Sequence, residues 1–230
     1  MPNDLVSPND LVSMIPVPTS SPQSEPRMDD GDEPQKPNQG SNKESKLPNP
    51  IEVELFEARI VMISAPIEAK LAHAVNAKLY ALERANPEKP IYVLINSPGG
   101  EIQSGFSIFD TIRFIRPRVY TVVTGLAASM GSIIALAASP EDRFAFPNSK
   151  FLVHQPLIAG GLAGSATDIA IHAKDLIETK NKIIDLYATE TKKTREDIKK
   201  AIDRDNWMSP EAARDFGLIS KIVSKRTELP

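Results

Sequence analysis

Cysteine is absent from this chain of 230 residues. Its absence excludes a cysteine nucleophile, thiolate metal ligands and disulfide bonds, and it is typical of proteins that work in a reducing cytoplasm. The chain also lacks an apolar run of about 18 residues, the length that could span a bilayer, and it lacks the charged start and apolar core of a secretory signal. We therefore predict a cytoplasmic protein without a membrane segment.

Aromatic residues are missing from the first fifty positions, since none precedes Phe56. Those positions hold 10 of the 20 prolines, and their four basic and eight acidic residues give a net charge of −4. A polar, proline-rich segment without aromatics cannot bury enough apolar surface to offset the loss of chain entropy. We predict that residues 1–50 form a disordered tail or a removable propeptide and that residues 51–230 form one globular domain.

Excess positive charge is missing from the predicted domain. Subtracting the first fifty residues from the whole chain leaves 23 basic and 22 acidic residues, a net charge of +1. Nucleic-acid-binding domains usually concentrate Lys and Arg on one surface, so this balance argues against nucleic acid as a partner. We also predict neither a cofactor nor a metal site.

Short apolar runs alternate with segments of helical periodicity along the domain. The predicted strands are 58–63, 91–97, 119–124, 142–146, 150–155 and 218–224. The predicted helices are 67–83, 102–115, a helix opened by Ser129, 167–190, 195–202 and 209–216. Alternation of this kind, with continuously apolar strands, predicts an α/β fold with βαβ units and a parallel sheet covered on both faces.

Two small-residue turns directly follow strands of this predicted sheet. PGG occupies positions 98–100, and GLAAS occupies positions 125–129. Ligands of parallel sheets usually bind beyond the carboxyl ends of the strands. We therefore expect both turns to lie on one edge of the sheet, close together.

Ser129 is the candidate nucleophile, because a hydroxyl at the first turn of a buried helix lies beside unpaired N–H groups. Its small neighbours would equally serve close packing. A serine needs a base to accept its proton, and the chain has three histidines. His73 and His172 lie within predicted helices and are expected to be ordinary. His154 ends an apolar strand, which makes it the favoured base.

An acyl-transfer site also needs donors for the developing oxyanion. The N–H of Met130, just after the candidate nucleophile, is the natural first donor, and Gly100 could supply the second. Pro-Gly-Gly by itself is more typical of a simple tight turn. The spacing does not select an orienting acid. The available aspartates are Asp110, Asp168, Asp175, Asp185, Asp197, Asp203 and Asp205.

Five motifs, in order and in one register, resemble the proteolytic subunit of the Clp (caseinolytic) protease. They are INSPGG at 95–100, GLAASMGS at 125–132, FPNSKFLVHQP at 146–156, ATDIAIHAKDL at 166–176 and DRDNWMSPEAARDFGLI at 203–219. The resemblance spans roughly residues 58–224. It implies a crotonase-type α/β fold, a Ser-His-Asp serine endopeptidase, and a protruding handle formed by the helix at 167–190.

Carried over residue by residue, the resemblance implies that Ser129 is the nucleophile and His154 the general base. It implies Asp205 as the orienting acid, with Asp203 the near miss. Gly100 and Met130 would form the oxyanion hole. Backbone around Ile102 on one side and Leu157 on the other would hold the substrate as an added strand.

The resemblance also implies an assembly. Family members form two stacked heptameric rings, a tetradecamer whose active sites face an inner chamber. Gln155 and Arg204 resemble positions that connect ring contacts to the triad. A folded substrate cannot thread a narrow pore unaided, and no Gly-x-x-x-x-Gly-Lys-Ser/Thr phosphate loop exists in this chain. The implied partner is therefore a Clp-type AAA+ ATPase that unfolds polypeptides.

The chain departs from the family pattern in three places. Ser64 and Ala65 stand where a glycine pair or Gly-Gln is usual, the loop at 157–168 is two residues longer than is common, and 46–61 hardly matches the family's pore-loop segment. An alternative is therefore a structural subunit in a mixed ring with an active paralogue. Two further alternatives, an acyl-CoA enzyme of crotonase fold and a Ser-Lys peptidase, fit the Ser129–His154 pair less well.

Overall fold

The computed structural model describes residues 49–158, 161 and 163–230. Residues 1–48, which make up most of the segment predicted to be disordered, lie outside the described residues. The first described element is helix α1 (Pro50–Glu57), which the sequence analysis did not predict. Asn49 caps it by accepting the Ile51 N–H at 3.1 Å, and proline occupies the start of the helix, where no N–H is needed.

The remaining elements follow the predicted order, with one additional strand. The helices are α2 (Ala69–Ala85), α3 (Ile102–Phe114), α4 (Met130–Ala135), α5 (Ala166–Thr191), α6 (Arg195–Ile202) and α7 (Pro210–Phe216). The strands are β1 (Ile60–Ile63), β2 (Ile91–Ser97), β3 (Val119–Ala128), β4 (Arg143–Ala145), β5 (Lys150–Val153), β6 (Asn206–Met208) and β7 (Lys221–Ile222). No helix in this part of the chain is both long enough and apolar enough to cross a membrane.

The predicted parallel sheet is confirmed, in the order β1-β2-β3-β4-β7. Strand β3 is longer than predicted, and its two halves pair with different strands. Residues 121–123 pair with β4, whereas residues 126–128 pair with β5. Strand β6, which was not predicted, pairs with β5 in antiparallel orientation. The branch at β3 places the ends of β3 and β5 side by side.

Apolar side chains cover both faces of the sheet. Alternate residues of a strand point to opposite faces, so Val93 and Val123 join the large cluster formed with the helices, while Tyr92 and Val122 join a smaller aromatic cluster with Phe144. The strands therefore have few polar positions, as expected for a parallel sheet covered on both sides.

Helix α5 forms the predicted handle. Its 26 residues make it roughly 39 Å long. Its only buried side chains are Ile183, Ile184 and Tyr187, all near its C-terminal end. A capping box between Ser165 and Asp168 begins the helix. The helix is therefore anchored to the core at one end, while its first half packs little against the domain.

Candidate active site

Ser129 lies at the turn between β3 and α4 in a strained conformation. Its φ is 53° and its ψ is −122°, a region that residues with side chains seldom adopt. Such backbone strain costs on the order of 1–3 kcal/mol and persists where the surroundings hold it firmly. Sharp strand-to-helix turns of this kind expose a serine hydroxyl at the edge of a sheet, as in the nucleophile elbows of hydrolases.

The glycine turn after β2 packs directly against Ser129, as predicted. Gly99 has a φ of 92°, and a Cβ atom at that position would lie 2.7 Å from the Ser129 Cβ and 2.6 Å from the Ala128 carbonyl oxygen. No side chain fits there. The absence of one at position 99 therefore allows the backbone of 98–100 to approach the candidate nucleophile closely.

Two backbone amides beside Ser129 are suited to bind an oxyanion. Gly100 pairs with Ile67, but the hydrogen bonds of that pair use the Gly99 carbonyl and the Glu101 N–H. Met130 is the first residue of α4, where an N–H has no intrahelical acceptor. Within the described residues, no backbone carbonyl accepts from Gly100 or Met130. Both amides thus remain available for a ligand.

A cavity of about 830 Å³ unites most of the predicted site residues. Its lining includes Gly100, Ile102, Ser129, Met130, His154 and Leu157. The rest of the lining is mixed: Ile133, Leu176 and Ile183 are apolar, whereas Gln103, Asp175 and Thr179 are polar or charged. His73 and His172, which the sequence analysis set aside, are exposed and do not border this cavity. The cavity has the size and character of a site for an extended peptide with apolar side chains.

His154 and Asp205 are the residues that immediately follow β5 and precede β6. The last registered pair joins Val153 to Asn206, so one further step in the antiparallel register leads to His154 on one chain segment and Asp205 on the other. Asp205 is exposed and does not line the cavity. Of the described hydrogen bonds, none joins the His154 ring to Ser129 or to Asp205, and catalytic bonds of this kind often tighten only with substrate.

Asp175 on α5 is the other aspartate of interest, because it lines the cavity while Asp203 and Asp205 do not.

The carbonyl of Asp203 accepts from the Gln155 side chain at 2.9 Å, and the Gln155 Oε1 accepts from Lys180 at 2.7 Å. Gln155 therefore connects α5 to the segment before β6, immediately beside His154.

Tyr187 and Ser132 form a contact behind Ser129 that the sequence did not predict. Tyr187 of α5 lines the cavity and is only 1% exposed, and its hydroxyl lies 2.7 Å from the Ser132 Oγ. Burial raises the pKa of the Tyr187 hydroxyl. Ser132 in turn donates to the carbonyl of Ser129 at 2.6 Å. No sequence pattern indicates this contact, because the two hydroxyl-bearing residues are 55 positions apart.

Comparisons with known proteins agree with this architecture. The sequence profile of the Clp protease family matches residues 43–226. The chain is 47% identical over 186 residues to ATP-dependent Clp protease proteolytic subunit 1 of Chlamydia abortus, covering 81% of this chain and 97% of that relative. The protein of the same name from Chlamydia pneumoniae is 48% identical over 184 residues, covering 80% and 96%. That from Protochlamydia amoebophila is 45% identical over 185 residues, covering 80% and 90%. The chain therefore belongs to the Clp protease family and is a serine endopeptidase.

Proposed function

We propose that Ser129, His154 and Asp205 form the catalytic triad of this endopeptidase, with the N–H groups of Gly100 and Met130 as its oxyanion hole. The observation that carries the proposal is the single cavity in which a strained serine, a histidine and two free amides meet. Asp205 completes the set because a step beyond the last registered pair, Val153–Asn206, leads to His154 on one chain segment and Asp205 on the other.

The reaction begins when the Ser129 Oγ attacks the carbonyl carbon of the scissile peptide bond. His154 accepts the hydroxyl proton, and the carbonyl oxygen becomes an oxyanion that Gly100 and Met130 bind. Removing one donor from such a hole costs about 3–4 kcal/mol of barrier lowering. The tetrahedral intermediate then breaks its C–N bond as His154 donates its proton to the leaving amine.

Water completes the cycle. His154 accepts a proton from water, which attacks the ester carbon of the acyl-enzyme, and the second tetrahedral intermediate releases the carboxylic acid and regenerates Ser129. Asp205 fixes the tautomer of His154 and stabilises the imidazolium that forms twice in each cycle.

Polypeptide substrates bind as an added strand between the backbone near Ile102 and that near Leu157. Such pairing reads the backbone and gives weak sequence preference. The apolar walls beside Ser129, which include Ile133 and Ile183, favour an apolar side chain next to the scissile bond.

The subunit works within an ATP-dependent protease, as the names of its relatives state for those proteins. A Clp-type AAA+ ATPase unfolds the substrate, since folded domains are stable by roughly 5–15 kcal/mol and this chain has no phosphate loop of its own. The subunit assembles in the cytoplasm into two stacked heptameric rings. Helix α5 supplies the contact between rings, because Ile169, Ile171 and Ile177 are 42–60% exposed along its first half.

Cleavage of a fluorogenic peptide by the purified full chain tests the proposal. We expect Ser129→Ala to lower kcat by at least about a thousandfold while leaving the native mass of the assembly unchanged. Ser224→Ala is the matched control, because Ser224 is exposed on the C-terminal segment, and its activity should equal that of the wild type. If Ser129→Ala cleaved the peptide at the wild-type rate, the proposal would be overturned.

Native mass spectrometry tests the assembly. A homomeric tetradecamer that cleaves peptides by itself supports the proposed rings. If activity appears only after mixing with a paralogous proteolytic subunit, the ring is mixed and the proposal of a homomeric ring is wrong.

A further inference from the structure

The geometry points to Tyr187 as a positioning residue for the nucleophile, because its hydroxyl acts through Ser132 to hold the strained backbone of Ser129. This inference rests on the proposed role of Ser129. It assigns to α5, the handle helix, a direct connection to the reacting serine.

The direction of the hydrogen bonds follows from the number of protons. Ser132 has one hydroxyl proton, and its Oγ donates that proton to the Ser129 carbonyl at 2.6 Å. The contact of 2.7 Å between Ser132 and Tyr187 must then use the phenolic proton of Tyr187. The chain of donors therefore runs from Tyr187 to Ser132 to the carbonyl of Ser129.

The two hydroxyls are shielded from bulk water, since Tyr187 is 1% exposed and Ser132 is fully buried. Burial raises the pKa of Tyr187, so the phenol keeps its proton and remains a donor throughout the neutral range. A buried acceptor that loses its donor leaves a polar group unsatisfied. Removing this hydroxyl therefore weakens the contact of Ser132 with the nucleophile.

The Ser129 carbonyl is the point where the strained turn is held. It accepts from the Ser132 N–H at 3.0 Å and from the Ser132 hydroxyl at 2.6 Å, and the Ile133 N–H lies 3.4 Å away. Strained conformations persist only where several contacts fix them. The orientation of the peptide after Ser129 also sets where the Met130 N–H points, so the same bonds align the nucleophile and one oxyanion donor.

Helix α5 holds the opposite end of α4 as well. Glu190, one turn after Tyr187, pairs with Arg113 and Arg143. These arginines also donate to carbonyls at the C-terminal end of α4 and just beyond it, those of Leu136, Ala137 and Ala138. Helix α4 is therefore fixed at both ends by the last turns of α5, and a displacement of those turns reaches Ser129 through Tyr187.

A positioning role predicts a specific kinetic effect. Misplacement of a reacting group by about 1 Å lowers the rate by up to about a hundredfold. Tyr187→Phe keeps the ring that lines the cavity and removes only the hydroxyl. We expect kcat, and the rate at which a fluorophosphonate labels Ser129, to fall roughly tenfold to a hundredfold. KM should stay within about twofold, because the walls of the cavity are unchanged.

Three further variants separate positioning from stability. Ser132→Ala should match Tyr187→Phe, and the double variant should be no slower than Ser132→Ala, because Tyr187 acts only through Ser132. Thr121→Val is the matched control: the Thr121 hydroxyl is equally buried and donates at 2.8 Å to the carbonyl of Ala135, at the end of α4 opposite to Ser129. It should lower the melting temperature comparably and leave kcat unchanged.

Labelling of the wild type separates the possible failures. If Ser129 of the wild type is not labelled, the proposed function fails and the role of Tyr187 fails with it. If the wild type is labelled and Tyr187→Phe reacts at the same rate, only the inference about Tyr187 is overturned. Equal loss of kcat in Thr121→Val, or multiplicative losses in the double variant, would also overturn it.

Discussion

The backbone N–H of Ser129 donates to the carbonyl of Leu152 at 2.9 Å. This bond continues the parallel ladder between β3 and β5, whose last registered pair joins Ala128 to Leu152. His154 follows only two residues later. The separation of the proposed nucleophile and base is therefore set mainly by a sheet ladder, which is more rigid than a loop.

Asp205→Asn tests the orienting acid. The amide cannot hold the required tautomer of His154, and the corresponding change in a serine protease lowers kcat about ten-thousandfold. We expect a loss approaching that size in peptide cleavage. Asp203→Asn is the control, because the Asp203 backbone carbonyl, not its side chain, accepts from Gln155. The assignment fails if Asp203→Asn is the more damaging change.

Gly100→Ala tests the oxyanion hole. Gly100 has a φ of 150°, and an added Cβ would lie 2.1 Å from the Ile67 carbonyl oxygen, so the backbone must shift and its N–H with it. We expect kcat to fall about a hundredfold to a thousandfold. Gly161→Ala is the control, since Gly161 also has positive φ but nothing lies within 4 Å of its added Cβ. That change should cost about 1–2 kcal/mol of stability and leave kcat unaltered.

Glu190→Gln tests the buried ion pair behind α4. Arg143 is 1% exposed, and burial lowers the pKa of its guanidinium, an effect that its bond to Glu190 opposes. Removing the carboxylate leaves the buried charge of Arg143 uncompensated, and we expect about 3 kcal/mol of destabilisation in thermal unfolding. In the control, Glu178→Gln removes an exposed pair with Lys174 and should cost less than about 0.5 kcal/mol. Similar melting temperatures for the two variants would contradict this account.

Asp168 makes the start of the handle helix sensitive to acid. Hydrogen bonds from the Ser165 hydroxyl and N–H lower the pKa of the Asp168 carboxyl below its ordinary 3.8. A lowered pKa stabilises the folded state above the ordinary value, and this contribution is lost as the pH falls through the lowered one. The melting temperature of Asp168→Asn should therefore lie below that of the wild type at neutral pH, and the difference should shrink in strong acid. A difference independent of pH would contradict this.

The sequence was sufficient to predict those elements whose residues all share one environment. The strand at 91–97 lacks polar residues over its first five positions because both faces of the sheet are covered, and α2 shows a clear buried stripe with Val75 and Leu79. The neighbourhood of Ser129 and Gly100 also followed, because both come directly after parallel strands. These features depend on local sequence pattern and on the rule that the carboxyl ends of parallel strands meet at one edge of the sheet.

Features created by tertiary pairing were not predictable. Strand β6 has three residues, too few for a period, and exists because it pairs with β5. Strand β3 continues to Ala128 because its second half gains β5 as a partner, although Gly125 is a poor strand residue. Tyr187 resembles any apolar position of a helix until its hydroxyl is seen beside Ser132. Helix α1 is different, because Asn49 before Pro50, with Glu52 in the first turn, is a start signal visible in the sequence.

Covalent labelling identifies the nucleophile of the assembled protein. The assembled wild-type protein is treated with a fluorophosphonate probe, digested, and the modified residue is located by mass spectrometry. We expect one probe per subunit on Ser129, none on Ser129→Ala, and strongly reduced labelling of His154→Ala. Absence of any label on the assembled wild type, or a label on a different residue, would contradict it.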